Sequence, residues 1–65
     1  MQIVSINLTR RIVHFDIGDA PITNMLDRDG EETDDHGEAA VIIARISETS
    51  WLTINLSRCF IPTLH

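Results

Sequence analysis

The sequence contains no lysine, no tyrosine and a single cysteine, Cys59. Nucleic acids and anionic membranes are bound mainly through lysine and arginine, so five arginines against ten carboxylates argue against both partners. One cysteine forms no internal disulfide, and it leaves a cysteine-based zinc site without enough ligands. The composition therefore predicts a protein that binds neither nucleic acid nor membranes.

Long apolar runs and glycine-rich loops are also missing. Runs such as residues 39–44 are far shorter than the roughly 20 residues of a membrane-spanning helix, and the first residues lack the pattern of a signal peptide. The glycines, Gly18, Gly30 and Gly37, are too far apart to form a nucleotide-binding loop. We therefore expect one cytoplasmic domain, residues 1–65, that has no cofactor and no enzymatic activity.

Negative charge is concentrated in one segment, residues 27–38. Its seven carboxylates and one arginine give a formal charge of −6, whereas three carboxylates and four arginines elsewhere give +1. Carboxylate oxygens are the ligands that Ca²⁺ and Mg²⁺ select, which makes Asp27, Asp29, Glu31 and His36 weak metal-site candidates. The competing interpretation is a solvated turn, because Asp27 and Gly30 have the spacing that turns favour and Gly30 does not match a calcium-binding loop.

Alternation of apolar and polar residues predicts strands in residues 2–9, 12–17 and 51–57, with a weaker strand in residues 22–27. The first two strands are expected to form an antiparallel hairpin. Apolar side chains of all four strands are expected to face one core. These side chains are Val4, Ile6, Leu8, Val13, Phe15, Ile17, Ile22, Leu26, Leu52, Ile54 and Leu56.

Residues 39–46 fit two kinds of secondary structure. Asp35 and Glu38 have the spacing of a helix capping box, and Ala39, Ile42, Ile43 and Ile46 then recur at helical spacing. Against a helix, residues 41–43 are β-branched, and Ala40, Ile42, Ala44 and Ile46 alternate as in a strand. The favoured prediction is an α+β fold, β-β-β-α-β, in which one helix covers one face of an antiparallel sheet and adds Ile42, Ile43 and Ile46 to the core. The alternative is an all-β meander with residues 39–46 as a strand.

Four residues are candidates for contact with a partner. Trp51 is expected either as an aromatic anchor on the polar sheet face or as a core residue. His14 and Asp16 project from the same face of the second strand, either as an acid–base or metal pair or as ordinary solvated residues. Apolar residues without a place in the core, Phe60 among them, suggest a homodimer.

The sequence thus predicts a protein-interaction module that acts as a homodimer or an adaptor, with Trp51, His14, Asp16 and Phe60 as its interaction residues. Two alternatives belong to other classes. One is a divalent-cation-binding protein that uses residues 27–36, and the other is a small-ligand-binding protein that uses the polar sheet face around His14 and Asp16.

Overall fold

The computed structural model describes residues 1–58, which form a five-stranded antiparallel sheet. The strands are β1 (Ile3–Asn7), β2 (Ile12–Phe15), β3 (Gly18–Leu26), β4 (Val41–Ser47) and β5 (Ser50–Asn55), followed by a 3₁₀ turn (Leu56–Arg58). Each strand pairs with the next one in sequence, so the sheet is a meander. The described part of the chain contains no α-helix, and hence no helix long and apolar enough to cross a lipid bilayer.

The predicted α+β fold is wrong, because residues 41–47 form β4 between β3 and β5. The alternative, an all-β meander, fits. β-Branched side chains lose less rotamer freedom in a strand than in a helix, and a central strand has both backbone edges paired. The residues of the expected capping box instead form a single turn. In this turn the Asp35 side chain accepts a hydrogen bond from the N–H of Gly37 (2.9 Å), and the Asp35 carbonyl group accepts one from the N–H of Glu38 (3.0 Å). Helix caps and such turns use the same hydrogen bond, which explains the error.

The sheet covers its own inner face by bending at β3. Residues 18–21 of β3 pair with β2, whereas its later residues pair with β4. The register shifts midway along the strand, between Ile22 and Asn24, and such bulges bend strands. The smallest dimension of the molecule is 20 Å, which suits two layers packed about 10 Å apart. The two halves of the meander therefore provide the layers that a sheet and a helix were expected to provide.

One apolar core lies between these layers. Of the predicted core residues, Ile6, Leu8, Val13, Phe15, Ile22, Ile42 and Ile54 are buried. Leu52 and Leu56 are half-buried and pack against the core, whereas Ile17 is 75% exposed in the turn between β2 and β3. The buried residues are Ile6, Leu8, Val13, Phe15, Ala20, Ile22, Met25, Ile42, Ala44 and Ile54.

Bulges explain most of the remaining errors in the predicted core. A register shift in β1 leaves Val4 42% exposed, while Ile3 packs against the core. The shift in β3 reverses the alternation, so Met25 is buried in place of Leu26. A third shift, near the end of β4, places Ile46 at the surface. Each extra residue turns the following side chains to the other face.

Candidate interaction surface

The structure does not join His14 and Asp16, the candidate acid–base or metal pair. His14 Nδ1 is 2.5 Å from Asp19 Oδ1, and these residues face each other across β2 and β3. Asp16 Oδ1 instead accepts a hydrogen bond from the backbone N–H of Gln2 at 2.9 Å. The two side chains therefore belong to separate contacts, and they do not form an acid–base or metal pair.

Asp16 gives the fold a dependence on pH. The hydrogen bond from Gln2 holds the pKa of the Asp16 carboxyl below its usual value; desolvation opposes this effect and the N-terminal amine adds to it. A carboxyl whose pKa is lower in the folded state stabilises the fold above about pH 4, and this contribution is lost as the pH falls through the lowered pKa.

We expect Asp16→Asn to be less stable than the parent protein at pH 7 and equal to it near pH 2, as measured by urea unfolding at both pH values. Asp29→Asn removes the same charge from an exposed position in the acidic segment and serves as the control. A loss of the same size at both pH values would contradict a role for the ionised Asp16 carboxylate.

The acidic segment, residues 27–38, is organised by turns. Asp27 Oδ1 accepts hydrogen bonds from the N–H groups of Asp29 (2.9 Å) and Glu31 (3.0 Å), and Gly30 has a φ of +84°. The predicted turn is thus confirmed. Within residues 1–58, no three His, Cys, Asp or Glu side chains are grouped so that they could hold a metal ion. The candidate ligands Asp27, Asp29, Glu31 and His36 are therefore not brought together as a metal site.

Replacing Asp27 with alanine is expected to lower the free energy of unfolding by about 1 kcal/mol, because two backbone N–H groups lose their acceptor. Asp29→Ala removes an equal charge from an exposed side chain two residues away, and we expect it to change stability little. Thermal or urea unfolding of both variants measures the difference. Equal losses would show that charge, and not hydrogen bonding, determines the effect.

Trp51 lies on the outer face of β5 and is 52% exposed. Arg45 faces it on β4, with the guanidinium carbon 5.6 Å from the ring centre. The guanidinium donates hydrogen bonds to the carbonyl groups of Ser47 and Glu48, both at 3.1 Å. Because these hydrogen bonds hold the guanidinium in place, its cation–π contact restrains the indole ring. Trp51 is therefore a restrained aromatic residue at the surface and not part of the core.

The backbone of β5 alternates between the β4 side and the open side. Among residues 1–58, β5 pairs with β4 alone. The N–H of Leu56 donates to the carbonyl of Ala40 at 2.9 Å, and every second residue of an antiparallel pair is hydrogen-bonded in this way. The register then directs the backbone groups of Leu52 and Ile54 toward β4. The residues that direct their N–H and C=O groups to the open edge are Trp51, Thr53 and Asn55.

This open edge lacks the features that usually protect edge strands. Charged residues, proline and bulges discourage the addition of another strand. β5 reads Ser-Trp-Leu-Thr-Ile-Asn, which includes no charge and no proline, and the register shift beside it inserts the extra residue in β4. The other edge strand, β1, is interrupted by the bulge at Val4. Within residues 1–58, β5 is therefore the edge strand that is open to pairing.

Exposed apolar side chains also gather at the end of the sheet where β3 begins. A shallow depression there is lined by Met1, Phe15, Ile17, Ala20 and Ile46, among others. Three of these side chains are substantially exposed: Met1 (62%), Ile17 (75%) and Ile46 (39%). The acidic segment leaves the opposite end of β3. Exposed apolar surface and clustered negative charge are thus separated along the sheet.

Two residues beside Trp51 and along the β5 edge could not be found by sequence reasoning. Arg45 is recognisable only when residues 41–47 are known to be a strand, because the register then places it opposite Trp51. Thr53 is recognisable only when the hydrogen-bonding alternation of β5 is known. Phe60, the remaining predicted interaction residue, lies outside the described residues.

Comparison with models of known protein families, with curated proteins and with solved structures found no match. The geometry of the β5 edge and of Trp51 is therefore the basis for assigning a function.

Proposed function

We propose that this protein is a protein-interaction module that binds an extended segment of a protein partner along the open edge of β5. The observation that carries the proposal is the outward direction of the backbone groups of Trp51, Thr53 and Asn55 on an uncharged edge strand. An added strand forms main-chain hydrogen bonds with such an edge, and these bonds supply much of the affinity.

Trp51 supplies the side-chain contact in this proposal. Aromatic residues are enriched among the residues that contribute most to protein interfaces. Binding ordinarily restricts the rotamers of interface side chains, which costs about 0.5 to 1.5 kcal/mol for each one. Arg45 already restrains the indole through its bonds to the turn, so the Trp51 ring loses less freedom when a partner covers it.

The proposed partner is another protein segment or a second copy of the chain, and not nucleic acid or a membrane. The net charge of −5 repels both of those polyanions. A cytoplasmic location belongs to the same proposal, since a single cysteine leaves the chain without an internal disulfide and so suits a reducing compartment. Fractionation of cells that express the tagged chain tests the location.

A pair of variants at Thr53 tests strand addition. Proline at this position removes an N–H that faces the open edge, so the ladder to β4 is kept while an added strand loses its hydrogen bond. Thr53→Val is the matched control, because it keeps the N–H and a β-branched side chain. We expect far-UV circular dichroism to show that Thr53→Pro and Thr53→Val both remain folded.

The binding probe is an unbiased displayed library of peptides of about ten residues, long enough to span one edge strand. Selected peptides are expected to bind the parent protein and Thr53→Val, with amide NMR shifts concentrated in β5, and to bind Thr53→Pro at least tenfold more weakly. Equal binding to the folded Thr53→Pro variant, or shifts confined to residues 27–36, would contradict the proposal. The second result would show that the peptides bind at the acidic segment instead of at β5.

A further inference from the structure

We propose further that the strand added to β5 is β5 of a second copy, antiparallel and related by a twofold axis at Thr53. This inference rests on the proposed function, because it names the partner of the same edge. Such an axis places Thr53 opposite the partner's Thr53 and Trp51 opposite the partner's Asn55. The two sheets then continue into one sheet across the dimer.

The backbone of β5 is self-complementary about this axis. Its outward-facing residues, Trp51, Thr53 and Asn55, are evenly spaced with Thr53 at the centre. Antiparallel pairing about the centre therefore matches each outward N–H with a carbonyl, which gives about six hydrogen bonds between the copies. No residue in the ladder lacks its N–H, since β5 contains no proline.

The inner face of β5 also gains from this pairing. Leu52 and Leu56 pack against the core but remain half-buried, because they lie at the open edge of the sheet. The axis places Leu52 opposite the partner's Ile54 at a position that is not hydrogen-bonded, where facing side chains come closest. The dimer therefore extends the apolar layer of each copy into that of the other.

Charge favours the antiparallel arrangement over a parallel one. The acidic segment joins Leu26 to Ala40, and Ala40 accepts the hydrogen bond of Leu56 at the end of β5. Antiparallel pairing therefore places the two acidic segments at opposite ends of the interface, whereas parallel pairing would place them side by side. Residues 49–57 contain no ionisable side chain, so the contact itself brings no like charges together in a chain of net charge −5.

The β1 edge does not offer an equivalent contact. The bulge at Val4 interrupts its pairing pattern, and bulges turn an edge away from regular strand addition. Addition of β5 to the β1 edge of another copy would also be head-to-tail, which leads to open polymers, whereas β5 on β5 closes as a dimer.

Disulfide trapping tests the proposed axis. Opposed residues of a hydrogen-bonded antiparallel pair have Cα atoms about 5.5 Å apart, within the range of a disulfide. In a Cys59→Ser background, Thr53→Cys is therefore expected to form a covalent dimer under mild oxidation at least tenfold faster than Val4→Cys, an exposed position on the other edge strand. Equal rates for the two variants would overturn the twofold arrangement.

Sedimentation over a roughly hundredfold range of concentration tests the dimer without a cross-link. The parent protein and Thr53→Val are expected to shift from monomer to dimer as concentration rises, and Thr53→Pro is expected to dimerise at least tenfold more weakly. A parent protein that remains monomeric throughout would overturn the second copy as the partner. That result would not contradict the proposed function, because β5 can still bind a segment of another protein. The peptide screen tests that binding separately.

Discussion

Replacing Ile42 with alanine is expected to lower the free energy of unfolding by about 3 kcal/mol, and Ile43→Ala by about 1 kcal/mol. Ile42 is fully buried between Met25 and Ile54, its neighbours across β3 and β5. Ile43 lies on the opposite side of β4 and is only half-buried. Truncation at Ile42 therefore leaves a cavity in the core, whereas water reaches much of the space vacated at Ile43.

Urea unfolding of the two alanine variants measures this difference. A domain of this size commonly has a total stability of only about 3 to 5 kcal/mol, so Ile42→Ala is expected to be largely unfolded without denaturant. The comparison also tests the secondary structure, because a helix over residues 39–46 would direct both side chains to the core. Equal losses at the two positions would contradict the strand.

Proline at Leu52 is expected to unfold the protein, although proline at Thr53, one residue further along, leaves it folded. The N–H of Leu52 is directed toward β4, where its register partner is Ala44. Proline there removes a ladder hydrogen bond and leaves a buried carbonyl without its donor, for a combined loss of about 3 kcal/mol or more. The N–H of Thr53 faces the open edge and has no such role.

Leu52→Ala separates the contribution of the side chain from that of the backbone. Leu52 is half-buried, so its truncation is expected to cost about 2 kcal/mol, less than the proline variant. Circular dichroism and amide NMR spectra report the folded fraction of each variant. A folded Leu52→Pro together with an unfolded Thr53→Pro would show that the alternation of β5 is opposite to the one described, and the open edge would then be presented by Leu52 and Ile54.

Alternation in the sequence predicts strands well where the chain has no bulge. Val13 and Phe15 in β2, and Ile54 in β5, face the core as expected. Alternation fails at Val4 and at Leu26 because an inserted residue reverses the faces that follow it. The sequence does not mark these insertions, since Val4 and Thr23, the extra residues, are β-branched and suit a regular strand equally well.

The error at residues 39–46 has a different origin. Ile42 and Ile46 satisfy both the helical and the alternating spacing, and Asp35 provides a hydrogen bond that suits a turn as well as a helix start. The strand is favoured because β4 pairs with β3 on one side and with β5 on the other, and this pairing is not visible in residues 39–46 themselves. The same limit applies to predicting the interaction surface. Arg45 contacts Trp51 only because β4 pairs with β5.

The meander order has a consequence for how the protein acquires its shape. Every strand finds its partner in the segment that immediately precedes or follows it, so the chain closes only short loops as it folds, apart from the connection that carries the acidic residues. Short loop closures make for rapid folding among β-proteins. During synthesis the strands also leave the ribosome in the order in which they pair, so β4, the only neighbour of β5 within residues 1–58, always precedes it.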